Sequence, residues 1–166
     1  MKLIDEFKKN KNFLIKKENI YFFLSIISIF TLDRLSKINI INNFNDGTYF
    51  LNNFINFDLI WNTGIGFGLL SSNSSFIYSL ITFIITSLIL FLFYLAIISD
   101  KSDKIIYSII IGGALGNIYD RLFYNAVPDF INLHYENFHW FIFNVADIFI
   151  TLGIMFFVMK GFFEKN

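Results

Sequence analysis

At 166 residues the chain is 55% hydrophobic and only 16% charged, with 13 basic and 13 acidic side chains. Soluble domains carry about 25% charged residues, so the polar surface is too sparse for a water-soluble fold, and a net charge of zero argues against nucleic acid as a partner. Cysteine is absent, which removes disulfides, thiolate metal sites, cysteine nucleophiles and S-acylation.

A bilayer-spanning helix needs about 20 mostly apolar residues, and four runs qualify. The first covers roughly 20–41 and is interrupted by Asp33, Arg34 and Lys37; six lysines precede it (Lys2, Lys8, Lys9, Lys11, Lys16 and Lys17). No small-x-small cleavage site follows, so it reads as a retained span, not a cleavable signal. The connection over about 42–75 mixes aromatic and aliphatic residues with Asn and Gly. Asp46-Gly47 is a turn signal, while Thr48 to Leu51 and Phe57 to Trp61 read as short strands. This segment predicts a small amphipathic sheet lying on the outer membrane surface. Trp61 and Trp140 fall at interface depth, which accounts for both indoles.

The second run, 76–98, holds no charge. A short link with Lys101 and Lys104 leads to the third, 105–124, which ends in Asp120 and Arg121. The fourth, 143–163, has Asp147 near its start and is followed by Lys165. The connections 42–75 and 125–142 contain no Lys or Arg. Lysine-rich flanks stay on the cytoplasmic side, so both termini should be cytoplasmic. The expected fold is a mainly α membrane protein: four transmembrane helices, a surface sheet, and one domain over residues 1–166.

Charges inside a span cost about 2.5–3.5 kcal/mol each on insertion scales. Asp33, Arg34, Lys37, Asp120, Arg121 and Asp147 all lie towards the outer ends of their runs, which implies a shared polar site there. Pairing that merely holds the bundle together explains Asp33, Lys37, Asp120 and Arg121 equally well. Asp147 is different: it lies three residues after Asn144 in the first turn of the last helix, where the helix dipole favours a carboxylate. Asp129 follows Pro128 inside an apolar stretch, where burial should favour the neutral acid. One acid held charged and one held neutral suit acid–base chemistry. Gly112 and Gly116 allow close helix packing, which leaves Asn117 at the same depth unexplained. His134 and His139 lie five apart in a loop with only Glu136 between them, and no HExxH helix exists, so no metal is expected. No Gly-x-Ser-x-Gly elbow is present.

Four blocks resemble the lipoprotein signal peptidase (signal peptidase II) family, in the order and places expected between four spans. They are Asp33 to Lys37 (Asp-x-x-x-Lys); Asn62-Thr63-Gly64-Ile65-Gly66-Phe67-Gly68; Gly112 to Arg121 with Val127-Pro128-Asp129-Phe130; and Phe143-Asn144-Val145-Ala146-Asp147. The resemblance implies a peptidase of the bacterial cytoplasmic (inner) membrane that cleaves prolipoproteins before a diacylglyceryl-modified cysteine. Asp129 and Asp147 would be its catalytic aspartates, near the outer, periplasmic face. Asn62, Gly64, Asn117 and Asn144 would shape the site or hold substrate, with Asp120 and Arg121. Asp33 and Lys37 would anchor the first helix and the surface sheet. A monomer among membrane lipid, without cofactor, is implied. Gly66 replaces the usual Ala, Phe141 stands where a Pro is common, and Pro128 is unusual; these bear on loop geometry. The rival reading is a small transporter or channel subunit with intramembrane charges. It would favour midplane acids and duplicated spans.

Overall fold

The computed structural model describes residues 16–44, 47–64, 75–136 and 138–163. Lys2, Lys8, Lys9, Lys11, Lys165, Asp46 of the turn signal, and Ile65, Gly66, Phe67 and Gly68 of the second block lie outside them. Helix α1 (Lys17–Asn43) leads into strands β1 (Tyr49–Asn52) and β2 (Ile55–Asn62). Helices α2 (Ser75–Ile98) and α3 (Lys101–Tyr124) follow, then β3 (Val127–Tyr135), β4 (Phe138–Phe143) and α4 (Val145–Phe163). The four strands form one antiparallel sheet in the order β1-β2-β3-β4.

The helices extend beyond the apolar runs at several ends, because backbone hydrogen bonding continues after the hydrophobic stretch stops. The larger difference lies between residues 125 and 143, expected as a plain connection. Here Asn125, in the left-handed region at φ 55°, ends α3 and the chain enters a hairpin. Residues 126–130 are buried without interruption, so the period-2 signal of a half-buried strand is missing. The fourth helix accordingly starts at Val145, not Phe143, since Phe143 still pairs with Ile131 in the sheet. His134 and His139 are cross-strand partners, not loop residues.

Helix α3 is the central element and packs on α1, α2 and α4. A core of Phe22, Ile26, Ile89, Ala96, Tyr107, Ile111, Ala114 and Ile118 fills the space between them. Close approach depends on glycine. A Cβ on Gly113 would lie 2.6 Å from the Ala146 carbonyl oxygen, and one on Gly116 would run into the Asp33 carboxyl group. Backbone on α4 cannot yield as a flexible side chain can. Gly113→Ala should therefore lower stability by about 1–3 kcal/mol, as overpacked cores do. Thermal unfolding in detergent checks this.

Many large apolar side chains point outward, among them Phe76, Phe83, Leu90, Phe156 and Phe162. Phe76–Ile98 and Val145–Phe163 are each long and apolar enough to cross a membrane. Helices α1 and α3 are of comparable length or longer but bury Asp33, Arg34 and Lys37, and Asp120 and Arg121, respectively. The sheet exposes Tyr49, Phe50, Phe54, Trp61, Tyr135, Phe138 and Trp140.

Candidate active site

The start of α4 is built by a reciprocal cap. The Asp147 N–H donates to Asn144 Oδ1 at 3.1 Å, and the Asn144 N–H donates to Asp147 Oδ2 at 3.2 Å. This arrangement satisfies backbone donors that a helix start otherwise leaves open. With its oxygen committed to the helix, Asn144 turns its Nδ2 to Asp129 Oδ1 at 2.6 Å. One fully buried amide thus links the two aspartates.

Strand β3 carries Asp129 inward, with 3% of its surface exposed. Its second oxygen, Oδ2, accepts from Asn62 Nδ2 at 2.8 Å, and Asn62 Oδ1 accepts from the Gly64 N–H at 2.8 Å. Burial pushes the Asp129 carboxyl up most, and the neighbouring charge of Asp147 pushes it further. Hydrogen bonds from Asn62 and Asn144 and the positive charge of Lys37 oppose this, leaving a value of about 7. Near neutral pH this carboxyl can therefore hold or release a proton.

The other side of the site is a cationic knot. Asn117 Nδ2 donates to Asp147 Oδ1 at 2.8 Å, while Asn117 Oδ1 accepts from Lys37 Nζ at 2.8 Å. Fully buried Lys37 also reaches Asp33 Oδ2 at 2.8 Å and Asp120 Oδ2 at 2.7 Å. Asp33 Oδ1 accepts the Ala146 N–H at 3.0 Å. Asp33 and Lys37 therefore tie α1 to α3 and α4; among the described residues their hydrogen bonds run to these helices. Lys37→Met would leave two buried carboxylates without their shared cation. Breaking such a pair costs about 3–5 kcal/mol, so this variant should unfold at a markedly lower temperature than the parent.

Arg121 donates from Nη2 to the Gly64 carbonyl, and its guanidinium carbon lies 5.7 Å from the centre of the Tyr78 ring. Tyr78 in turn donates its hydroxyl to the Arg121 carbonyl at 3.1 Å. Every expected site residue is thereby drawn into one connected network: Asp33, Lys37, Asn62, Gly64, Asn117, Asp120, Arg121, Asp129, Asn144 and Asp147. Arg34 and Tyr78 join it as well: Arg34 was expected among the clustered charges but given no role, and Tyr78 was not expected. Arg34 pairs with Asp120 through Nη1. Its position three residues before Lys37 was the available signal, since it puts both on one helix face. For Tyr78, in an uncharged apolar run, there was none.

Two apolar cavities meet Asp147. One of about 360 Å³ lies between the sheet and α4, bounded by Leu133, Trp140, Phe143, Ile148 and Leu152. A larger one, about 650 Å³, opens among α2, α3 and α4 and includes Ile85, Leu92, Asn117, Arg121 and Ile154. The arrangement offers two carboxyl groups, one poised to exchange a proton near neutrality, where apolar space meets a polar network. His134 and His139 stack at 5.5 Å between ring centres, outside this network.

Residues 25–163 match the model of a family described as signal peptidase (SPase) II. The lipoprotein signal peptidase of Pelagibacter ubique is 42% identical over 156 residues, covering 92% of this chain and 94% of that protein. Its counterpart in Thermodesulfovibrio yellowstonii is 40% identical, covering 83% and 92%. A bacterial membrane enzyme solved by the in meso method at 2.3 Å resolution superposes with a TM-score of 0.75 at 26% identity, covering 88% of this chain and 90% of that one.

Proposed function

The chain belongs to the signal peptidase II family and removes signal peptides from prolipoproteins, and from that premise we propose that it does so as an aspartyl endopeptidase with Asp129 and Asp147 as the catalytic pair. The observation that carries this reading is the Asn144 bridge: one amide hydrogen-bonds Asp129 and the capping turn of Asp147 together, beside two apolar cavities. The relatives give the transporter alternative no support.

In the proposed reaction Asp147 takes a proton from a water molecule, whose oxygen attacks the scissile carbonyl carbon. Asp129 gives its proton to the carbonyl oxygen, producing a neutral tetrahedral diol. Collapse transfers the proton on Asp147 to the departing cysteine nitrogen, while Asp129 recovers a proton from the diol hydroxyl. The products are a signal-peptide carboxyl group and a free cysteine amine, and both aspartates return to their starting states. Such a dyad needs no metal or organic cofactor. Asn62 and Asn144 hold Asp129, Asn117 holds Asp147, and Arg121 fixes the Gly64 carbonyl beside Asn62. Acyl chains of a diacylglyceryl cysteine suit the apolar cavities beside Asp147.

The proposal extends to placement. All four helices span the cytoplasmic (inner) membrane as one domain over residues 1–166, working as a monomer. Both termini are cytoplasmic and the dyad lies near the periplasmic face. Burial of Asp33, Lys37, Asp120 and Arg121 inside the bundle supports this, because these charges are then turned away from lipid.

The direct test is incubation of purified protein with a diacylglyceryl-modified precursor and an unmodified one, with products identified by mass. Cleavage before the lipidated cysteine alone is expected; cutting elsewhere, or equal cutting of the unmodified precursor, contradicts the assignment. A pH profile adds a second check. Asp129 must enter protonated, and its carboxyl titrates at about 7. kcat/KM should accordingly fall about tenfold per pH unit on the alkaline side, and a flat profile to pH 9 would count against this proton donor.

A further inference from the structure

A third apolar recess, of about 380 Å³, lies between α1 and α3 and shares no lining residue with the two cavities that reach Asp147. Ile26, Ile27 and Phe30 form one wall, and Leu115, Tyr119 and Phe123 belong to the other. The rings of Tyr119 and Phe123 stack at 4.3 Å, and Phe30 meets Tyr119 edge-on at 6.0 Å. One helical turn beyond Phe30 stands Arg34, whose guanidinium carbon is 4.7 Å from the centre of the Tyr119 ring. Arg34 uses Nη1 to pair with Asp120, yet its Nε and Nη2 are buried and have no hydrogen-bond partner among the described residues.

Those two groups form the side-on edge of the guanidinium, which matches two oxygens of a phosphate in a bidentate contact. Two unsatisfied charged donors in a low-dielectric setting are costly, and an arriving acceptor would remove that cost. From Arg34 to Ile26 is eight residues of helix, about 12 Å, so the recess lies on the midplane side of Arg34. A cationic donor edge with an apolar channel beside it fits one kind of ligand.

We propose that the α1–α3 recess binds a single phospholipid of the surrounding bilayer, its phosphate on the Nε–Nη2 edge of Arg34 and one acyl chain along Ile27, Phe30, Tyr119 and Phe123. Contact with the phosphate requires Arg34 to turn this buried edge outward. The proposal rests on α1 and α3 lying in the membrane. It concerns a site separate from the dyad, so precursor cleavage and lipid binding are measured separately.

Native mass spectrometry of the full-length protein, delipidated and then offered phosphatidylglycerol or a diacylglycerol with the same chains, tests it. The parent should retain one phosphatidylglycerol at least about fivefold more than the diacylglycerol, a difference of about 1 kcal/mol. Arg34→Lys keeps a cation for Asp120 but loses the bidentate edge, and should bring that ratio close to one. Leu122→Trp, which crowds the recess and leaves the Arg34–Asp120 pair alone, should weaken retention of both lipids and covers the case in which Arg34→Lys fails to fold. Unchanged phospholipid preference in Arg34→Lys, unchanged retention in Leu122→Trp, or displacement of the lipid by millimolar inorganic phosphate would overturn the proposal.

Discussion

Replacing Asp129 by Asn is expected to abolish cleavage of a lipidated precursor, by about a thousandfold or more in kcat/KM, the scale of losing a positioned proton-transfer group. The protein itself should remain folded. Asn is nearly isosteric, and its Oδ1 can still accept from Asn144 or Asn62, although one of the two bonds at 2.6 and 2.8 Å must change partner. Charge then works in the variant's favour. In the folded protein the Asp129 carboxyl titrates at about 7, against an ordinary 3.8. Folded protein therefore holds the proton more tightly than unfolded chain between those values, and stability contributed by this group falls as pH rises from about 4 to about 7. Asn is spared that loss. At pH 8 its melting temperature should lie no more than a few degrees below the parent's. A large drop would mean that inactivity reflects unfolding, and cleavage within tenfold of the parent would remove Asp129 from the mechanism.

Asp147→Asn should be as inactive, about a thousandfold down, with a different structural signature. Both oxygens of Asp147 accept from donors, Asn117 Nδ2 at 2.8 Å and the Asn144 N–H at 3.2 Å. An amide offers one acceptor where two are needed and sets an N–H against an N–H. An unsatisfied donor of this kind costs about 1–3 kcal/mol, so this variant should melt below both the parent and Asp129→Asn. Calorimetry or a thermal-shift series on the three proteins reads the order directly. Equal melting temperatures for the two variants would place Asp147 outside the hydrogen-bond pattern described.

The order of the helices was legible because each follows one of four long apolar runs. The Asp33–Lys37 pair, one turn apart, was legible from spacing, as was the Asn144–Asp147 relation at the head of α4. The β3–β4 hairpin was not. Residues 126–130 are buried on both faces, which erases strand alternation. Without the hairpin, the reach of Asn144 back to Asp129 across 15 residues could not be foreseen, nor could the 67-residue contact from Asn62. Arg34 was visible as a charge within an apolar run, but its partner Asp120 lies 86 residues away. Two bases, Lys37 and Arg34, converge on that one carboxylate, and nothing in local spacing encodes such sharing. The identity of the polar residues was thus written in the chain, while their connections were properties of the bundle.

The most direct test of the dyad is the single-turnover cleavage rate of the Asp129→Asn, Asp147→Asn double variant beside the two singles. Groups that act as one unit show grossly non-additive losses, so the double variant should be no more than a few fold slower than either single. Losses that multiply, to about a millionfold, would mean two independent contributions and no shared proton path between these carboxyl groups.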